Sequence, residues 1–380
     1  MTRRDFTASL AGAAALAAAE GRAATGPPRI ACILNTYFPN SHADVFLSRL
    51  LDGYRLNGAW RAPRLQPVSF YVDQFPSNDM ARDQAAEYGI RIYPTVAEAI
   101  QGVDGIAVIG EHGDYPRTRL GNFSYPRKRY FDEIAGVFER QRRVLPLFSD
   151  KYLACDWADA KAIYQRTRGM RIPFLCGSTL PWTWRRPPLQ FAPGTVFDEL
   201  LAVSAGDLEE HAYHAIELLQ SVAEGRRGGE TGVAAVRYLE GDEVLRVAPD
   251  LREAALARRV NPPPEDRGQK PEAFLVKYAD GLEASILSLN SKTRDYLLAA
   301  RVKGSPQPPA TCFYIGLYTH AHWAFLVRAF EELVLTKREP MPVERTLLAN
   351  GIMLAGLESR RQGGKWIDTP ELHLSYSWPR

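Results

Sequence analysis

Two short groups of polar residues have the types and spacing needed for acid–base chemistry on a hydroxyl group. Glu210 and His214 are four residues apart, so on a helix they share one face. A histidine changes charge near neutral pH, which suits it to accept or return a hydroxyl proton. Asp150 and Lys151 follow an apolar run, and a lysine beside an acid can polarise a hydroxyl or relay its proton. We predict that these four residues form the catalytic group, with a structural histidine and a surface ion pair as the alternatives.

The elements that position these residues follow from the hydrophobic pattern. Short apolar runs alternate with helical patterns in the first half of the chain, which predicts an α/β fold with a Rossmann-type parallel sheet and helices on both faces. The carboxyl ends of such strands meet at one edge, where ligands bind and where Lys151 follows its strand. The predicted strands are 30–34, 67–73, 90–93, 105–110, 144–148 and 173–177, and the predicted helices follow Ser41 and span 80–89, 95–100, 131–140 and 157–168.

The second half groups its strands apart from its helices, which predicts a C-terminal α+β domain with an open mixed sheet. We place the domain boundary at the aromatic- and arginine-rich loop 180–188. The predicted units are a Rossmann-type, nucleotide-binding-like domain over 25–178 and a substrate and oligomerisation domain over 179–380. In the second unit we predict strands 195–205, 234–238, 273–278 and 282–289, and helices 207–222, 320–335 and the closing helix 343–361.

The stretch from residue 30 to residue 51 is typical of the start of a dinucleotide-binding fold. It combines a buried strand, a tight loop and a capped helix N-terminus. However, Asn35, Thr36 and Tyr37 replace the glycines that let a pyrophosphate approach the backbone. Either the cofactor binds in an altered pose through Asn35 and Thr36, or it does not bind. Asp73, at the end of the second strand, stands where an acid accepts the ribose hydroxyls of NAD, although an ordinary turn residue is the alternative.

Several segments occur in an order that resembles one known family. They include Ala86–Ile90, Val103–Ile109, Asp150-Lys151 followed by Tyr152, Glu210–Leu219 and the final helix ending in Glu358-Ser359. This series resembles the oxidoreductase family named for glucose-fructose oxidoreductase, inositol dehydrogenase and a rhizopine-catabolism protein (Gfo/Idh/MocA). The resemblance implies a Rossmann cofactor domain and a second domain whose open sheet often mediates oligomerisation. It also implies NAD(P)-linked hydride transfer on a sugar or polyol, with His214 as the acid–base group.

The segment after the fourth predicted strand departs from that family. Glu111-His112-Gly113-Asp114 stands in place of the family's Thr-Pro motif, and we predict that Glu111 and His112 contact the cofactor. A divalent metal is an alternative, because His211 and His214 are three residues apart on one helical face. Glu111, His112 or Asp114 would then complete the ligands. The main prediction, however, is that the protein has no metal site.

Aromatic and basic residues predict a substrate wall near the site. Trp182, Trp184 and Arg185 can stack on a sugar and bind an anionic group, and Tyr115 follows the fourth strand. Packing between domains is an equally good interpretation of the tryptophans. We interpret the basic run 127–129 as a solvated face, and His320 and His322 as structural.

The N-terminus indicates export. Arg3 and Arg4 precede a weakly apolar, alanine-rich run and small residues, which together are typical of a twin-arginine signal over 1–24. An alanine-rich helix is the alternative, and the run is too short for a permanent membrane span. We therefore expect a periplasmic or extracellular protein. The cysteines at 32, 155, 176 and 312 have no metal spacing, and we expect them to be free and buried.

These observations predict an exported, NAD(P)-linked oxidoreductase that acts on a small sugar or polyol. The net charge of +3 is too small to indicate a nucleic-acid partner. A homo-oligomer through the C-terminal sheet is the expected assembly. Two alternatives remain: a non-redox or metal-assisted lyase, epimerase or glycosidase on the same fold, and a degenerate member that binds carbohydrate without a cofactor.

Overall fold

The computed structural model describes residues 26–206, 211–316 and 319–377. The predicted export signal and Glu210 lie outside the described residues. Within those ranges, no helix is both long enough and apolar enough to cross a membrane.

The first part of the chain alternates strands and helices, as predicted. A buried strand opens it, and the helix that follows begins after Ser41, whose side chain caps it by accepting a hydrogen bond from the backbone N–H of Asp44. The elements in chain order are β1 (Arg29–Leu34), α1 (His42–Asp52), β2 (Tyr54–Leu56), β3 (Ala59–Arg61), β4 (Gln66–Val72), α2 (Ala81–Glu87), β5 (Arg91–Ile92), α3 (Val96–Ala99), β6 (Gly105–Ile109), α4 (Arg127–Gln141), β7 (Leu147–Asp150), α5 (Trp157–Met170) and β8 (Phe174–Gly177).

The main sheet of this part is entirely parallel. Among the described residues it has six strands in the order β5-β4-β1-β6-β7-β8. The strands are apolar on both faces because helices cover both faces. The connections after β1, β4, β6 and β7 all meet at the carboxyl edge, which confirms the predicted Rossmann-type architecture and fixes where the candidate residues converge.

Two expected boundaries were wrong, and both concern the site. Strand β7 begins at Leu147 and runs through Asp150, because the segment 144–146 ends in a proline before the strand. Helix α4 begins at Arg127, four residues earlier than predicted. Arg127 is only 3% exposed, so the interpretation of 127–129 as a solvated face was wrong for this residue. A buried carboxylate pairs with it, and that partner is distant in sequence.

The second part of the chain builds a mixed sheet. Its described strands number eight, in the order β16-β11-β12-β13-β10-β14-β15-β9, and all neighbours are antiparallel except β10 and β13. Short 3₁₀ helices cover 180–182, 241–246 and 370–372. The labelled elements are β9 (Trp184–Arg186), β10 (Phe197–Ser204), α6 (Ala212–Ala223), β11 (Val233–Glu240), α7 (Pro249–Leu256), β12 (Glu272–Tyr278), β13 (Glu283–Ser288), β14 (Tyr296–Val302), β15 (Ala310–Tyr314), α8 (Trp323–Thr336), α9 (Val343–Arg361) and β16 (Ile367–Asp368).

Both faces of this mixed sheet are covered by the chain itself. Helices α6 and α9 pack on one face, and α7 packs on the other, where Leu201, Leu251 and Leu297 are fully buried. A homo-oligomer through this sheet stays a prediction. Helix α8 returns to the first sheet instead, where Phe330 packs on Phe46 of α1 with ring centroids 5.9 Å apart. This return brings the start of α8 beside the start of α1.

Candidate active site

A histidine and an aspartate that are 108 residues apart form the centre of the candidate site. His42 is the first residue of α1, and Asp150 is the last residue of β7. The Nδ1 atom of His42 lies 2.5 Å from Oδ2 of Asp150. The side chain of Asp150 is 1% exposed, whereas that of His42 keeps 18% exposure. The carboxylate is therefore buried, whereas part of the ring remains accessible.

A buried ion network lies next to this pair. The ammonium group of Lys151 donates to Oε2 of Glu111 at 2.7 Å, and the Arg127 guanidinium donates to the other carboxylate oxygen. Arg127 also donates to the backbone carbonyls of Asp150 and Tyr152, at 2.6 and 3.0 Å. The network thus joins the ends of β6 and β7 to the first turn of α4. The network holds Lys151 beside the His42–Asp150 pair, and the ammonium group of Lys151 is bonded to Glu111.

Three further rings surround His42. Its ring centroid lies 5.3 Å from that of His112, 6.5 Å from that of His214 and 4.7 Å from that of Trp323. These residues come from the β6–α4 connection, from α6 and from α8, so both parts of the chain contribute to the crevice. The structure brings together His214, Lys151 and Asp150, predicted as catalytic, and Glu111 and His112, predicted as cofactor contacts, while the predicted partner Glu210 lies outside the described residues.

The backbone is strained where it enters the site. Lys151 has a φ of 61° and His112 a φ of 63°, a left-handed conformation that side chains with a Cβ rarely adopt. Gly113 follows at a φ of 105°. Non-glycine residues in this conformation cluster at functional sites, because surrounding contacts must hold them there. The Glu111 network provides such contacts for Lys151.

Burial and charge set the protonation of the site. Burial, strengthened by the nearby charge of Lys151, holds the pKa of His42 and of His214 well below 6.5, so both rings are neutral bases at neutral pH. Burial raises the pKa of Asp150 to about 6, against the charges of Lys151 and Arg127. Burial would also raise the pKa of Glu111, but the charges of Lys151 and Arg127 outweigh it and hold that pKa below its usual value. The cluster can therefore accept a proton.

Known proteins resemble this one in structure but not in sequence. No protein-family model and no curated protein matches the sequence. The structure of myo-inositol 2-dehydrogenase from Lactobacillus plantarum matches with a TM-score of 0.58 at 12% identity, over 90% of this chain and 99% of that one. GenD2 from gentamicin A biosynthesis, solved in complex with NAD, matches with a TM-score of 0.59 at 11% identity, over 92% and 98%.

A further match carries both cofactor and polyol. Scyllo-inositol dehydrogenase from Lactobacillus casei, with bound NAD(H) and scyllo-inositol, matches with a TM-score of 0.58 at 11% identity, over 90% of this chain and 99% of that chain. This chain has the fold of these dehydrogenases. The predicted resemblance to the Gfo/Idh/MocA family is confirmed at the level of the fold, and function has to be argued from the site.

In this dehydrogenase fold, the connection between β1 and α1 is where a pyrophosphate would bind. Here Asn35 is fully buried: its side-chain amide donates to the carbonyl of His112 at 3.1 Å and accepts from the Tyr130 hydroxyl at 2.9 Å. The backbone N–H groups of Asn40 and Asp44 are bonded to the Asp44 carboxylate and the Ser41 hydroxyl. These residues do not fit a pyrophosphate in the glycine-cradled pose, because these two donors are used, side chains replace the glycines and a carboxylate stands at the helix N-terminus.

Asp73, the predicted ribose acceptor, is also engaged by the chain. Tyr71 and Arg129 donate to its Oδ1, each at 2.5 Å, and Tyr115 donates to Oδ2 at 2.8 Å. These three hydrogen bonds lower the pKa of Asp73 although burial opposes them. Tyr115, predicted to touch substrate, therefore makes its polar contact with Asp73. Thr36 is 2% exposed and its hydroxyl has no hydrogen-bond partner among the described residues.

The predicted aromatic and basic wall occupies a different place. Trp184 and Arg185 lie in the edge strand β9 rather than in a loop. The indole N–H of Trp184 donates to Asn57 at 2.8 Å, and its ring packs edge-on against Phe325 at 4.8 Å. Arg185 donates to the carbonyl of Leu189 at 2.8 Å, and Trp182 packs with the α8 core. These contacts are those of domain packing, the alternative that the sequence left open.

The two remaining features of the molecule are the possible metal ligands and the cysteines. In those ranges, no group of three or more His, Cys, Asp or Glu side chains is placed to hold a metal ion. Cys32, Cys155, Cys176 and Cys312 are free and buried, as expected. Burial raises the pKa of each thiol, so they are unreactive apolar residues.

Two central residues escaped the sequence analysis. His42 was interpreted only as part of a helix start, and Arg127 only as a surface charge. Each had a usable signal: His42 follows the β1 connection at the carboxyl edge, and Arg127 begins the helix that follows β6. A polar residue at the first position after such a connection is a site candidate on topology alone.

Proposed function

We propose that this protein is an oxidoreductase that acts on a hydroxyl group of a sugar or polyol. The observation that carries the proposal is the cluster of His42, His214 and Lys151 at the carboxyl edge of a parallel sheet. The fold of inositol dehydrogenases supports it, because in such folds this edge is the ligand crevice.

The chain's own residues supply the acid–base part of that reaction. A neutral imidazole of the cluster accepts the hydroxyl proton, and His214 is the residue that the sequence singles out for this role. Lys151 places a positive charge beside the developing alkoxide, and Glu111 holds that charge in position. Oxidation also requires a hydride acceptor. The likeness of the fold to dehydrogenases solved with NAD supports a nicotinamide dinucleotide in that role. In this chain such a cofactor has to bind in a pose other than the glycine-cradled one.

One observation favours a second candidate. Both polar atoms of the Asn35 side chain are used in buried hydrogen bonds, so they do not serve a pyrophosphate at this connection. An epimerase that removes and returns a proton, or a lyase that removes a proton as a leaving group departs, needs an acid–base group such as the histidine cluster and no dinucleotide. This candidate keeps the same sugar or polyol substrate and the same basic residues.

Nucleotide binding separates the two candidates. The purified protein is titrated with NAD⁺ and NADP⁺ by calorimetry, and inositols and sugars are screened for nicotinamide reduction. Nucleotide binding together with reduction is the result expected for the oxidoreductase. His42→Gln and His214→Gln should each lower kcat/KM for this reduction, whereas the exposed His373→Gln control should not. No nucleotide binding together with isomerisation or elimination of a sugar would favour the second candidate. Sugar binding without turnover would leave a carbohydrate-binding protein and reject both enzymes.

We also propose export by the twin-arginine route, with a mature protein that begins near Thr25 in the periplasm or outside the cell. The support is the sequence pattern of residues 1–24. Replacing Arg3 and Arg4 by lysine tests it, since the variant should stay in the cytoplasmic fraction. Equal export of the variant and the natural chain would reject this route.

A further inference from the structure

We propose that His42 is the catalytic residue that accepts the substrate's hydroxyl proton, and that Asp150 is the positioning residue that holds it. This inference rests on the proposed function and deepens it, because it assigns the proton to a residue that the sequence did not select. His214 then lies across the crevice as a second imidazole that contacts substrate.

The first argument is orientation. A catalytic base works when a third group fixes its ring and tautomer. His42 has such a partner, because Asp150 Oδ2 lies 2.5 Å from its Nδ1. The Nδ1 atom of His214 is buried and has no hydrogen-bond partner among the described residues. Of these two rings, that of His42 has its Nδ1 held by a described carboxylate, and we assign its Nε2 to the substrate.

The second argument is the charge that develops during proton transfer. The substrate O–H bond breaks, an N–H bond forms at Nε2 of His42, and the bonding electron pair stays on the substrate oxygen as an alkoxide. The imidazolium that results lies at the N-terminus of α1, where the helix dipole disfavours a positive charge. Asp150, buried directly behind the ring, compensates for that charge.

The third argument is the surroundings of the ring. Burial and the charge of Lys151 hold the pKa of His42 low, so the ring is neutral before it meets substrate. Burial raises the pKa of Asp150 to about 6, so this carboxylate is ionised at neutral pH and protonated in mild acid. The titratable and charged groups that face His42 are Asp150 and Lys151 at the end of β7, Glu111 and His112 after β6, Arg127 on α4, His214 on α6, and His322 before α8.

The first experiment needs no substrate. In protein labelled with ¹⁵N-histidine, NMR identifies the His42 signal by its loss in His42→Gln, and the exposed His373→Gln provides a control assignment. We expect His42 to carry its proton on Nδ1 and to stay neutral through neutral pH. Asp150→Asn keeps the shape but is expected to change that tautomer, while the His373 signal stays unchanged. If His42 in the natural protein carries its proton on Nε2, the proposal is overturned.

The second experiment uses the activity found under the proposed function. Loss of a general base typically lowers kcat by about 10²–10⁴-fold, and we expect this in His42→Gln. His214→Gln should raise KM more than it lowers kcat. The rate of the natural protein should fall as the pH drops through about 6, because Asp150 becomes protonated there. The Asp150→Asn variant should be slow throughout this pH range and should show no such fall. Full activity of His42→Gln would overturn the assignment and leave the oxidoreductase proposal standing. Failure to find any sugar activity would reject the proposed function. The NMR result would then decide whether Asp150 holds the tautomer of His42.

Discussion

The ammonium group of Lys151 lies 2.7 Å from Oε2 of Glu111, and both side chains are buried. Lys151 begins the connection after β7 and Glu111 lies at the start of the connection after β6, so the bond ties β6 to β7 at the carboxyl edge of the sheet. Arg127 pairs with the second oxygen of the same carboxylate. One buried acid thus pairs with two buried cations, and Asp150 supplies a second negative charge beside them.

Removing that acid should destabilise the protein strongly. Glu111→Gln removes the carboxylate that pairs directly with the buried Lys151 and Arg127, and breaking a buried pair costs about 3–5 kcal/mol. Urea denaturation measures the free energy of unfolding. Glu332→Gln is the matched control, since its partner Arg64 is 46% exposed and the carboxylate 40% exposed, and such pairs contribute at most about 1 kcal/mol. Equal losses in both variants would contradict the role of Glu111.

Glu217 should make stability depend on pH. It is fully buried on α6 and accepts from the Ser178 hydroxyl at 2.5 Å, and burial raises its pKa to about 7 from an ordinary 4.5. Between these values the native state binds more protons than the unfolded state, so the free energy of unfolding falls as the pH rises. Glu217→Gln removes this contribution, and the variant should gain about 3 kcal/mol relative to the natural chain between about pH 4 and about pH 8. Parallel pH curves for the two proteins would refute the raised pKa.

Gly113 should not tolerate a side chain. Its φ is 105°, and a Cβ there would lie 2.6 Å from the ring of Tyr115, which its hydrogen bond to Asp73 holds in place. Gly58 has a φ of 81° with no atom within 4 Å of the same position, so Gly58→Ala measures the backbone cost alone, about 1–2 kcal/mol. Thermal and urea unfolding of Gly113→Ala should show a clearly larger loss. If the two alanine variants were equally stable, Tyr115 would be free to move.

The cover of the second sheet should be energetically important. Leu251 of α7 is fully buried against the outer face of that sheet, and Leu→Ala at such positions costs about 2–5 kcal/mol. Leu245, which is 43% exposed just before α7, is the matched control, and Leu245→Ala should change the free energy of unfolding by less than about 0.5 kcal/mol. A loss in Leu251→Ala as small as in the control would mean that α7 does not hold the face closed in solution.

Much of the first sheet was readable because its signals are local. The apolar run at β1, the Ser41 cap of α1 and the buried run at β6 each declare an element within a few residues. The second sheet was harder, and β9, β14, β15, β16 and α7 were not predicted. Strand β9 lies in a segment rich in arginine and proline, and its strand character comes from pairing with β15, which is distant in sequence.

The sequence by itself determined the alternation of strands and helices, the carboxyl edge as the place of the site, and the candidacy of Lys151 and His214. Only the tertiary structure decided that His42 meets Asp150, that Glu111 pairs with both Lys151 and Arg127, and that the Asn35 side chain bonds to His112 and Tyr130. The physical reason is range. Periodicity and capping act over one or two turns, whereas a hydrogen bond across 108 residues exists only after the sheet has brought the ends of separate strands together.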